Sequence, residues 1–109
     1  MEKCSDKQPP LVCDLTALDA EQRERHQALA QDLRARVLEV QELADGYAFC
    51  YPSEASVSLR LTEFITLERL CCPFLRLALE FEAERGPVWL RMTGRVGVKQ
   101  FLRAELGLP

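Results

Sequence analysis

The 109-residue chain has no long apolar segment, no excess of basic residues and only one histidine. Without a run of about 18 apolar residues, no membrane-spanning helix is expected. A net charge of -3 argues against non-specific electrostatic binding of nucleic acid, which requires a basic surface. The first residues lack the apolar core of a signal peptide, so the sequence predicts a cytoplasmic protein.

Motifs of well-known catalytic and metal sites are also absent. One histidine cannot complete a zinc site of two cysteines and two histidines, and no Cys-x-x-Cys pair supports a zinc ribbon or a thioredoxin motif. No phosphate-binding loop or nucleophile elbow is present. The five cysteines therefore remain as the main chemical signal. Their odd number fits poorly with a disulfide scaffold, and cytoplasmic thiols are usually reduced, so metal binding or reversible redox chemistry is favoured.

Hydrophobic periodicity predicts an α+β fold with the order αββαββα, in which two hairpins join into one antiparallel four-stranded sheet with helices packed on one face. Residues 1–18 are expected to form an N-terminal arm and residues 19–109 a single domain. Asp19 and Gln22 have the spacing of a capping box, and the helix that follows extends to about Val37.

The later elements follow from alternation and from turn residues. They are strands at 38–41 and 47–51, a helix at 54–72, strands at 75–82 and 88–93, and a helix at 98–106. Gly46 is expected to supply a positive φ in the first hairpin turn. Ser53 is the predicted N-cap of the second helix, and Gly107 is the predicted C-terminal cap of the last.

Residues 68–74 read Glu-Arg-Leu-Cys-Cys-Pro-Phe and are the most informative segment. At about 100° per residue, Glu68 falls at the centre of the apolar stripe of the second helix. Cys71 and Cys72 flank it one turn later, and the proline after them ends the helix. Two adjacent thiols offer soft ligands for a thiophilic ion, or a redox pair.

The carboxylate of Glu68 needs a partner if it faces the core. Arg76 and Arg91, on the following strands, are the candidate partners. Alternatively, Glu68 orients the cysteines or accepts their protons as a supporting group of the site. The negative end of the helix dipole raises thiol pKa, so a spontaneously activated nucleophile is not expected.

Cys71 and Cys72 are the predicted metal ligands, and Cys50 is the predicted third. Cys50 lies on the strand face opposite the aromatic residues, and we expect this face to turn toward the second helix. Cys4 and Cys13, in the arm, are further candidates. A fourth ligand from His26 is an alternative, although a histidine on an apolar helix stripe is more often part of a core or an interface.

The Glu-x-x-Cys-Cys-Pro-Phe core resembles that of a group of small bacterial proteins. In those proteins the motif ends a helix and is followed by two strands and a Thr-Gly turn, here Thr93-Gly94. The resemblance covers roughly Gly46 to Leu106, about half of the chain. It implies handling of a soft metal, through an association with metal-resistance genes, and names neither an activity nor an ion.

The sequence thus predicts a small cytoplasmic thiol protein that binds or relays a thiophilic ion through the vicinal cysteines. Copper(I), mercury(II), arsenic(III) and zinc are the candidate ions. Two alternatives remain. One is a non-catalytic binding module or homodimer whose cysteines only pack the core. The other is a thiol-dependent redox enzyme in which Cys71 or Cys72 is the reactive sulfur. No nucleic-acid or membrane partner is expected.

Overall fold

The computed structural model describes residues 11–108 and has the predicted α+β architecture. A short 3-10 turn at Leu15–Ala17 precedes the first helix. The elements are α1 (Ala20–Arg36), β1 (Glu39–Leu43), β2 (Gly46–Tyr51), α2 (Ala55–Cys71), β3 (Arg76–Phe81), β4 (Val88–Thr93) and α3 (Val98–Leu106). The order αββαββα is therefore confirmed.

One antiparallel sheet joins the two hairpins in the order β1-β2-β4-β3. The central contact is between β2 and β4, with Phe49 opposite Leu90 and Tyr51 opposite Val88. These four residues are buried in a core shared with the helices. Because side chains alternate along a strand, the intervening residues of β2 lie on the other face of the sheet.

The start of α1 follows the predicted capping box. The Asp19 side chain accepts a hydrogen bond from the backbone N–H of Gln22 at 2.8 Å, and the Gln22 side-chain oxygen accepts one from the N–H of Asp19 at 3.0 Å. Two of the N–H groups that lack partners within the helix are thereby satisfied. From this start, α1 places Leu29 and Leu33 in the core.

The predicted Ser53 cap is wrong, because α2 has Glu54 at its N-cap position, without a side-chain hydrogen bond. At the other end of the chain, Gly107 does cap α3 in the left-handed conformation, with φ 64°. The last turn of α3 is therefore closed as the sequence predicts.

Gly46 is needed in the first hairpin, but not for a positive φ, which it does not have. A Cβ atom at this position would lie 2.0 Å from the carbonyl oxygen of Met92. Glycine therefore permits the close approach of β2 to β4, and the expectation based on turn geometry is corrected.

Residues 11–18 pack against the domain. Leu18 is buried, and the backbone N–H of Asp14 donates a hydrogen bond to the carbonyl oxygen of Cys71 at 2.7 Å. Leu11 lies so close to α3 that a Cβ atom on Gly97 would be 2.6 Å from its Cδ1 atom. This part of the predicted arm therefore contacts the ends of both α2 and α3.

Candidate metal and thiol site

The last turn of α2 places Glu68 and Cys71 on the inner face of the helix. Residues three apart lie on the same side of an α-helix, so both side chains point toward α1 and the sheet. Glu68 is 9% exposed and Cys71 is fully buried. The predicted position of Glu68 on the apolar stripe of the second helix is confirmed.

His26 of α1 is the partner of Glu68. Its Nε2 atom forms a hydrogen bond with Oε1 of Glu68 at 2.7 Å. The imidazole ring stacks on the ring of Phe64, with centroids 5.2 Å apart and planes at 16°. Phe64 lies one turn before Glu68 on α2, so it supports the histidine while the carboxylate bonds to it. The carboxylate and the imidazole thus satisfy each other inside the protein.

The arginines predicted as partners of Glu68 do not fill that role. Arg91 of β4 instead pairs with Glu80 of β3 at 2.7 Å, on the outer face of the sheet. Arg76 is exposed at the start of β3. The predicted partners follow Glu68 in the sequence, whereas the observed partner, His26, lies on the preceding helix, α1.

Cys71 is a free thiol with several polar neighbours. Its Sγ atom lies 3.7 Å from Oε1 of Glu68, 4.0 Å from Nε2 of His26 and 3.8 Å from Sγ of Cys72. Burial, followed by the charge and hydrogen bond of Glu68, raises the pKa of Cys71 to about 11. At neutral pH the group is therefore a protonated thiol, which can donate to the carboxylate.

Cys72 is joined to Cys13 by a disulfide. The vicinal pair is therefore not a pair of free thiols in this structure, and the expectation that the cysteines are all reduced is corrected here. The odd cysteine count did not exclude one bridge, and within residues 11–108 Cys50 and Cys71 remain free. The bridge ties the segment before α1 to the end of α2.

Cys50 does not lie with the other sulfurs. Phe49 and Tyr51, its neighbours on β2, belong to the core between sheet and helices, so alternation puts Cys50 on the opposite face. It is buried there opposite Trp89 of β4. Burial and the nearby carboxylates of Glu39 and Glu82 raise the pKa of its thiol. The structure thus separates the predicted third ligand from the site, and Cys4 lies outside the described residues.

A group of three side chains has the donor atoms to bind a metal ion: His26, Glu68 and Cys71. Each offers one ligand atom, and these atoms lie within 4.8 Å of one another. A sulfur and a nitrogen bound to one tetrahedral zinc ion lie about 3.6 Å apart, given bonds of about 2.3 and 2.1 Å. The observed sulfur–nitrogen distance is 4.0 Å, so a bound zinc ion would require the two atoms to move about 0.4 Å closer.

Comparison with known proteins assigns neither a family nor a function to the chain. No protein-family model, curated protein or solved structure matches the chain. Within residues 11–108, no helix has the length and apolar character needed to cross a membrane.

Proposed function

We propose that the reduced chain binds a thiophilic metal or metalloid ion at the cluster of His26, Glu68 and Cys71. The observation that supports this proposal is the close grouping of three possible ligand atoms. Oε1 of Glu68 lies 2.7 Å from Nε2 of His26 and 3.7 Å from Sγ of Cys71, and this Sγ lies 4.0 Å from Nε2. A bound cation would displace the Cys71 proton and balance the charge of the carboxylate. The raised thiol pKa makes this site selective for ions that bind sulfur strongly.

Reduction of the disulfide would enlarge the ligand set. Sγ of Cys72 is already 3.8 Å from Sγ of Cys71, and reduction frees the sulfur of Cys13 as well. The nitrogen, oxygen and single sulfur of the triangle suit zinc, whereas two or three sulfurs suit copper(I), mercury(II) or arsenic(III). A reducing compartment such as the bacterial cytoplasm is the setting in which this larger set would form.

Anaerobic titration tests the proposal with cadmium(II), a thiophilic probe whose thiolate bonds are visible by ultraviolet absorption. The reduced wild type should bind one ion per chain. Cys71→Ser should weaken binding by more than about tenfold, which is about 1.4 kcal/mol. Cys50→Ser is the matched control, since it removes a buried thiol on the other face of the sheet and should leave binding unchanged.

Glu68→Gln separates a ligand from a packing residue. The amide keeps the shape and can still hydrogen-bond to His26, so the fold should survive. If the carboxylate takes part in ion binding, cadmium affinity should fall while the unfolding midpoint stays close to that of the wild type. Equal cadmium binding by the wild type and Cys71→Ser would contradict the proposed site.

A second candidate function is thiol–disulfide exchange, because a disulfide and a free thiol lie side by side. In that reaction the reduced Cys13 and Cys72 thiols give two electrons and two protons to a substrate disulfide. The substrate leaves as two thiols, and the Cys13–Cys72 bond forms. Equilibration with mixtures of reduced and oxidised glutathione, read by mass spectrometry, distinguishes this function. An exchanging pair should be reduced and reoxidised reversibly without any ion.

A further inference from the structure

An apolar cavity of about 280 Å³ lies between the three helices and the inner face of the sheet. Its walls are mostly aliphatic and aromatic side chains, among them Leu33, Phe49, Phe64, Met92, Phe101 and Leu102. His26 and Glu68 also line it, so the hydrogen-bonded pair of the ion site forms part of one wall.

The size of the cavity indicates the size of an occupant. An engineered apolar cavity of about 150 Å³ binds benzene. The cavity here has nearly twice that volume, which suits two fused rings. Ligand sites in proteins typically combine such apolar walls with a few polar groups that fix orientation.

Tyr51 supplies a polar group without a partner. It is 5% exposed and lines the cavity, and its hydroxyl makes no hydrogen bond within residues 11–108. In that part of the chain, every fully buried side-chain oxygen and nitrogen atom has a hydrogen-bond partner. The Tyr51 hydroxyl has none there, so its oxygen atom is not fully buried. Burial raises the pKa of Tyr51 to about 12, so the group stays protonated and can donate.

We propose that this cavity binds a bicyclic aromatic compound carrying one hydrogen-bond acceptor, which receives the hydroxyl proton of Tyr51 in a hydrogen bond. The rings fill the apolar space, and the acceptor gives a hydrogen-bond partner to the buried Tyr51 hydroxyl. The site does not depend on ion binding, because neither the free Cys71 thiol nor a reduced disulfide is needed to form it.

Two probes of nearly equal shape test the inference by equilibrium dialysis against the metal-free, disulfide-bonded protein. Acetonaphthone carries a ketone oxygen, and isopropenylnaphthalene has a methylidene group in its place. The wild type should bind the ketone about tenfold more tightly, since one hydrogen bond in a buried site contributes about that much. Tyr51→Phe should bind both probes equally.

Filling the cavity should weaken the binding of both probes. Ala30 of α1 lines the cavity, and Ala30→Leu, or the more adaptable Ala30→Met, should weaken both probes by at least about tenfold. Ala28→Leu makes the same change on the exposed side of α1 and should bind like the wild type. Thermal unfolding confirms that each variant is folded.

Failure of the wild type to bind either probe would overturn the proposal. Binding that withstands both Ala30 substitutions would place the probes elsewhere and overturn it equally. A ketone preference that persists in Tyr51→Phe would refute the assignment of the hydroxyl. Because no metal is present, none of these results depends on the proposed ion site.

Discussion

The disulfide between Cys13 and Cys72 should contribute strongly to stability. The two cysteines are 59 residues apart, so the bridge closes more than half of the chain into a loop. In the chain-entropy model, a loop of that length lowers the entropy of the unfolded state enough to contribute about 4 kcal/mol at 25 °C. This is a large share of the net stability of a small domain, about 5–15 kcal/mol.

Urea unfolding of the oxidised wild type, the reduced wild type and Cys13→Ser measures that contribution. Reduction should lower the unfolding midpoint of the wild type by more than about 1 M, given a urea dependence of about 1–3 kcal/mol per M. Cys13→Ser should resemble the reduced wild type and should not respond to reductant. Cys50→Ser, which keeps the bridge, should respond as the wild type does.

Two results would refute this reasoning. An unfolding midpoint of the wild type that reductant leaves unchanged would mean that the bridge does not form or does not stabilise the fold. A Cys13→Ser variant that still responded to reductant would mean that another pair of cysteines is oxidised. Mass spectrometry after alkylation identifies which pair is bridged in either case.

The remaining predictions concern the buried thiol and the tight hairpin. With a pKa raised from 9.0 to about 11, native Cys71 should react with iodoacetamide about 100-fold more slowly at pH 8 than it does in urea, as followed by mass spectrometry. The unfolded state loses the Cys71 proton at a lower pH than the native state, so the free energy of unfolding should fall as the pH rises from about 9 to 11. If Cys71→Ser shows the same dependence of unfolding free energy on pH as the wild type, Cys71 is not its cause. Gly46→Ala should lower the free energy of unfolding by at least about 2 kcal/mol, because the new methyl group meets a backbone carbonyl. Gly107→Ala, which meets no atom, should cost only about 1 kcal/mol in the same urea assay.

Local signals in the sequence were enough for the order of elements. The capping box at Asp19, the alternation of β3 and β4, and the glycine after α3 are all determined by residues close in the chain. The pairing of β2 with β4 could not be predicted in this way. It depends on register between segments separated by the whole of α2, and several pairings would bury the same apolar residues.

The same distinction applies to the site. The helical period placed Glu68 on the inner face of α2, and the structure confirms its burial. Its partner His26 is 42 residues away, so the contact depends on how α1 packs against α2. The position of His26 on the inner stripe of α1 was a signal that a polar pair between the helices was available. Nothing in the spacing indicated that Cys13 would reach Cys72.

The hydrogen-bonded pair of Glu68 and His26 is open to a purely structural explanation, in which the two side chains only orient α1 against α2. Energetics favour a further role, because a well-packed apolar pair in the same space is often as stable as a buried polar one or more so. The neighbouring thiol adds to this argument. A cysteine that only packs the core needs no carboxylate beside it, yet Glu68 lies close enough to raise the pKa of the Cys71 thiol.

An ion that uses the sulfur of Cys72 competes for it with the disulfide to Cys13. Any ion that uses this sulfur binds only the reduced chain, so it stabilises that form by mass action, by about 2.7 kcal/mol when present at about 100 times its dissociation constant. For a two-electron couple, this raises the reduction potential of the Cys13–Cys72 pair by about 60 mV. By the same linkage, oxidation weakens ion binding. A site that uses only His26, Glu68 and Cys71 would show neither effect, so the potential measured with and without cadmium(II) reveals which set of sulfurs holds the ion.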